Sequence, residues 1–201
     1  MRYGRLVLLS LGLVLLVLKP DIIQAQRGAY VAPRDIATLS KQADVIVRGH
    51  VVNARVERHP QFQSLMTVVV TLKSEKVLKG KPGAVYTFRQ YIWDVRDRYD
   101  AAGYRKGQEL LLLMLRVNEN GLTSPAGMQQ GRFRIERQKD GSAHALNGTG
   151  NVRLFRGVAE QATQSKVKLS TKAAKTLSMH KQGAVELGEL EEIISGFAGG
   201  Q

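Results

Sequence analysis

Between residues 45 and 146 apolar side chains recur at every second position, interrupted by short polar clusters rich in glycine. That period predicts strands joined by turns. VIVRGHVVNARVER, residues 45–58, alternates through Val45 and Val47 and then, past Gly49, through Val52, Ala54 and Val56. A glycine at such a phase change marks a bulge or a tight bend. Residues 59–64 read as a loop, and LMTVVVTLKSEKVL, 65–78, as a long β-branched strand. In Gly80-Lys81-Pro82-Gly83, glycine supplies unusual backbone angles and proline fixes one of them, so a turn is expected. A phosphate loop would need more glycines, a Lys-Ser or Lys-Thr ending and a following helix. Here the aromatic, β-branched strand AVYTFRQYIW, 84–93, follows instead.

Residues 94–108 form a polar loop of mixed charge, and ELLLLMLRV, 109–117, is a continuous apolar run fit for a strand buried on both faces. NENG, 118–121, predicts a hairpin-type turn. Residues 128–138 place Phe133 and Ile135 on one strand face and Arg132, Arg134 and Glu136 on the other. Asp140-Gly141 tolerates the left-handed turn of a tight hairpin, with 142–146 returning. Two segments follow the helical period instead. Residues 32–44 carry Ile36, Leu39 and Ala43, with Asp35 near the start. Residues 185–197 carry Leu187, Leu190, Ile193 and Ile194, with Glu186, Glu189, Glu191 and Glu192 expected on the opposite face.

Five or more strands with few central helices predict a mainly β fold, an antiparallel barrel that closes or nearly closes, with a short N-terminal helix and an amphipathic C-terminal helix. The organisation reads as a signal peptide (1–25), a linker (26–33), the barrel domain (34–156), a flexible basic segment (157–184) and the final helix (185–197). The signal assignment rests on Arg2 and Arg5, an apolar run at 6–18 and Ala25 at the expected cut. That run is short of the roughly 20 residues a spanning helix needs, so cleavage near Ala25 and export are expected, with no membrane span afterwards. The segment 153–181 holds seven Lys or Arg, a single acid (Glu160) and few large apolar residues, hence the expectation of flexibility.

Charge and cysteine usage narrow the function. The formal net charge is +13, and without residues 1–25, which hold three basic residues and one acid, it is +11. Such a charge favours anionic partners. For an exported protein, an envelope polyanion or an envelope protein ranks ahead of nucleic acid. The absence of cysteine excludes thiolate metal sites, cysteine nucleophiles and disulfides, so stability must come from a core.

Four stretches occur in order: ADVIVRGHVV, VTLKSEKVLKGKPG, YRKGQELLLLML and GMQQGRFRIE. In that order they resemble a group of exported bacterial proteins without assigned activity, over residues 34–151. More distantly the arrangement is similar to the netrin-like barrels of tissue metalloproteinase inhibitors. The resemblance implies an OB-like (netrin-like) antiparallel Greek-key β-barrel. Those inhibitors cap a protease zinc with an N-terminal cysteine. This chain has none, so that activity is not carried over. The loop at 94–103 also holds charges where the pattern has paired glycines.

No catalytic constellation is legible. Asp94, Asp97 and Asp100 could ligate calcium, but Arg96 and Arg98 lie between them and the alternating pattern with a central glycine is missing. His50, His59, His144 and His180 show no metal-ligand spacing, although neighbouring strands could bring His50 to His144. No nucleophile elbow is present. Neither a metal nor another cofactor is expected. The candidate binding residues are Arg132, Arg134, Arg153 and Arg156 beside Tyr91 and Trp93, an arrangement of cations and aromatics with which OB-type barrels take oligonucleotides or oligosaccharides. The sequence therefore predicts a non-enzymatic exported binding module, with a periplasmic or secreted hydrolase or protease regulator as the alternative.

Overall fold

The computed structural model describes residues 31–199. The expected signal peptide and most of the expected linker lie outside the described residues. Helix α1 (Ile36–Gln42) begins where the Asp35 carboxylate accepts from Thr38 N at 2.8 Å, which satisfies one of the amide groups a helix start leaves unpaired. Strands β1 (Val45–Arg58), β2 (Met66–Lys79), β3 (Val85–Tyr91), β4 (Glu109–Met114), β5 (Arg132–Arg137), β6 (Ala143–Asn147) and the two-residue β7 (Val185–Glu186) form one sheet. Its order is β3-β2-β1-β4-β5-β6-β7 and every pairing is antiparallel. The run β3-β2-β1-β4 has Greek-key order. Among the described residues β3 and β7 each pair on one side only, while Thr123 N in the β4–β5 connection donates to Arg89 O of β3 at 2.9 Å.

The sheet has a core on each side. On one, Val47, Val51, Val68, Val70, Leu72, Phe88 and Leu112 pack together. On the other, Ile46, Leu111, Leu113 and Phe133 pack under α1 and the last helix, α4 (Leu187–Ala198). Strand β4 lies between the two, and all six of its residues are buried, as its unbroken apolar run requires. Helix α4 contributes Leu190, Ile193, Ile194 and Phe197 to the second core, each worth about 1.5–3 kcal/mol of burial.

The β1–β2 register slips between Arg48 and Gly49, as a glycine at that place predicts, and again between Val51 and Asn53. The side chains change phase only at the later slip, since Val47 and Val51 face the same core and Val52 is exposed. Gly49 has a further reason to be glycine. A Cβ there would sit 2.0 Å from Lys73 O, so a close crossing of β1 and β2 requires its absence. The 80–83 segment is a turn, with Gly80 and Gly83 both at positive φ.

The segment expected to be flexible is instead helical. It forms α2 (Val158–Gln164) and α3 (Thr171–Met179), with Val158, Ala162, Ala173 and Leu177 buried. Helix α3 also has polar support from α4. The Glu192 carboxylate accepts from Ser170 N and Oγ, and Glu189 accepts from Thr176 Oγ1. No helix among the described residues is long and apolar enough to cross a membrane.

Candidate ligand-binding cleft

The end of β3, the 94–104 loop and one face of β5–β6 border an open cleft of about 640 Å³, within the ~300–1,000 Å³ range of small-molecule sites. Tyr104 is its buried floor. The ring meets Phe88 edge-to-face at 5.6 Å and the hydroxyl donates to Gln90 Oε1 at 2.9 Å. Burial pushes the phenol pKa up, with the Arg132 cation opposing it. The Arg132 guanidinium lies 3.7 Å over the Tyr104 ring and donates to Ala102 O at 2.8 Å and Gly103 O at 2.5 Å. The loop so held is left-handed at three consecutive residues, Ala101 (φ 51°), Ala102 (φ 54°) and Gly103 (φ 75°). Each alanine there costs about 1–2 kcal/mol, so the forked guanidinium holds the loop against its own backbone preference.

The aspartates of this loop are engaged with its own backbone and arginines. Asp94 accepts from Arg96 N at 2.9 Å, from Nε at 2.9 Å and from Nη2 at 2.5 Å, and Asp100 accepts from Gly103 N at 3.2 Å. The Asp94 hydrogen bond raises the pKa of the exposed Arg96. No group of three or more His, Asp or Glu among the described residues is arranged to hold a metal ion. At the cleft mouth Trp93 is 68 % exposed and stands edge-to-face with Tyr91, ring centroids 4.8 Å apart.

Four of the six predicted binding residues line this cleft: Tyr91, Trp93, Arg132 and Arg134. Arg132 turns inward as a brace, whereas Arg134 is exposed and donates to Glu136 Oε1 at 3.0 Å. Arg153 and Arg156 are elsewhere, flanking a recess of about 140 Å³ with Pro33 and Asp35. A single binding face containing all four arginines is therefore not what forms. His50 and His144 do not meet either, since β4 and β5 separate their strands. Tyr104 has no signal in the sequence because tyrosines scattered through a charged stretch, here Tyr99 and Tyr104, carry no periodicity.

A second set of charges lies where α4 meets the sheet. Arg48 donates from Nε to Glu191 Oε1 at 2.8 Å and from Nη1 to Glu109 Oε1 at 2.7 Å and Glu75 Oε2 at 3.2 Å. Lys76 Nζ donates to Glu191 Oε2 at 2.7 Å, and Arg137 reaches both Glu109 oxygens at 2.8 Å. Burial pushes the Glu109 carboxyl pKa up, but the hydrogen bonds and charges of Arg137 and Arg48 outweigh it and hold it below the usual carboxylate value. Burial likewise acts to lower the Arg48 pKa, and Glu109 and Glu191 outweigh it. Glu191, expected on the polar side of its helix, is buried toward the sheet. The signal was present. Glu191 follows Leu187 by four residues and precedes Ile194 by three, which puts it inside the apolar stripe.

The third charged region is the surface of the 153–181 segment. Arg153, Arg156, Lys166, Lys168, Lys172, Lys175 and Lys181 are all exposed. None joins an ion pair among the described residues. No protein-family model matches the sequence, and a search of curated proteins finds no significant relative.

Proposed function

We propose that this chain is an exported, non-enzymatic interaction module, its sheet curled into an OB-like barrel, that docks an anionic envelope component through the 153–181 surface. The observation that carries the reading is that seven exposed cations, none in an ion pair among the described residues, share their segment with a single acid, Glu160. The nearby carboxylates of α4 are otherwise occupied. Glu186 caps the helix by accepting from Glu189 N, Glu189 and Glu192 hold α3, and Glu191 is inside. Unneutralised clusters of this kind raise the local concentration of polyanions and do so less at high salt. The hydrogen bond from Thr123 to β3 supports the curled sheet by tying the β4–β5 connection to the far edge.

The test is heparin chromatography of the chain without residues 1–25. Elution is expected well above the salt that releases a neutral control, and a Lys168→Glu/Lys172→Glu/Lys175→Glu variant is expected near that control. Unmodified protein eluting with the control would overturn the docking reading.

A further inference from the structure

We infer that the cleft beside Trp93 binds a neutral carbohydrate chain, a ligand class separate from the polyanion of the basic surface. Three features lead there. The first is charge. In a chain of net +13, the cleft is lined by three aspartates (94, 97 and 100) and three arginines (105, 132 and 134), a formal balance of zero. Two of those arginines are already engaged, Arg132 by backbone carbonyls and Arg134 by Glu136. The aspartates are engaged as well, Asp94 by Arg96 and Asp100 by Gly103 N, so the cleft has no excess of positive charge to draw in a phosphate- or sulfate-bearing chain. A neutral polyol needs none, and its hydroxyls both donate and accept, matching the carboxylates, guanidinium groups and Gln108 and Gln129 amides that line the cleft.

The second feature is an available aromatic face. In an edge-to-face pair at least one of the two faces of Trp93 is left uncovered, and its 68 % exposure agrees. A flat indole beside polar groups accepts the apolar C–H side of a sugar ring. A single exposed valine would call for no such account, but an exposed tryptophan packed edge-to-face on Tyr91 does. The third is preorganisation. The left-handed 101–103 backbone is held by Arg132 and Tyr104, so the cleft wall is fixed before any ligand arrives. Strained backbone held by its surroundings is concentrated at binding sites.

Trp93 is the only tryptophan in the chain, so its emission reports on this cleft alone. The experiment titrates the protein with chitohexaose, cellohexaose and maltohexaose, and in parallel with a heparin hexasaccharide and a short oligothymidylate. At least one neutral hexasaccharide is expected to shift the emission saturably, with an affinity unchanged when the salt rises about tenfold. Tyr91→Ala, which keeps the reporter, is expected to weaken that binding roughly three- to tenfold, with its thermal unfolding midpoint measured as the control for folding. The triple-glutamate variant of the basic surface is expected to bind the sugar as the unmodified chain does, which separates failure of this site from failure of the polyanion docking. The inference is overturned by the absence of any saturable shift with all three neutral sugars. It is equally overturned if only the heparin fragment or the oligothymidylate shifts the emission and salt abolishes the effect.

Discussion

Arg48 and Lys172 both carry a full positive charge, yet their surroundings differ completely. Arg48 lies among Glu75, Glu109 and Glu191 beneath α4, and Lys76 and Arg137 complete the cluster. Lys172 is exposed and belongs to a surface whose cations have no ion-pair partners among the described residues. In the first region charge is structural. It joins β1, β2, β4 and β5 to a C-terminal helix, and removing one partner strands the others in a poorly solvated place. In the second, charge contributes little to the fold and is free to meet something outside it. The lesson is that a net charge of +13 says nothing of function until the cations are sorted by what already faces them.

Substitutions can break that contrast, beginning with the largest effect. Arg48→Met removes the shared cation between Glu109 and Glu191, which keep Arg137 and Lys76, and is expected to lower unfolding stability by about 2–3 kcal/mol, read from urea denaturation. A loss below about 1 kcal/mol would place the cluster with ordinary surface pairs. Acid probes the same region without mutation. The pKa of Glu109 is lower folded than unfolded, so its contribution is present above the unfolded value, roughly 4.3, and is lost as pH falls through the folded one. Glu109→Gln is therefore expected to flatten the acid limb of the stability curve below about pH 4.3, as measured by denaturation at a series of pH values.

A smaller effect of opposite sign is expected in the cleft loop. Ala102→Gly relieves a left-handed alanine and should stabilise by about 1 kcal/mol, measured as a rise in the thermal midpoint. Smallest of all, Lys172→Glu with Lys175→Glu should change stability by no more than about 0.5 kcal/mol while heparin retention falls. A large stability loss from that pair would erase the distinction between the two regions.

Much of the sheet was legible in the sequence because alternation and turn chemistry are local. The 109–117 run announced a strand buried on both faces, which ends at Met114, and Asp140-Gly141 announced its hairpin, where Gln138 N donates to Ser142 O at 2.8 Å. What was not legible depends on partners distant in sequence. Helices α2 and α3 bury only two small or medium apolar residues each, and the polar support of α3 comes from glutamates of α4. Glu191 looked like a surface acid until Arg48 and Lys76 were placed opposite it. In the cleft, Tyr91, Trp93 and Arg132 could be named in advance, and Tyr104 could not. The three left-handed residues that Arg132 holds could not, because two of them are alanine, a residue that gives no warning of such a conformation.

Strand β4 has a consequence for how the molecule comes apart. Leu110, Leu112 and Met114 belong to one core and Leu111 and Leu113 to the other, so neither core can be opened without disturbing a wall of its neighbour. Two hydrophobic centres sharing one strand should melt together, in a single cooperative transition. The amide protons of β4 should then be among the last in the chain to exchange with solvent.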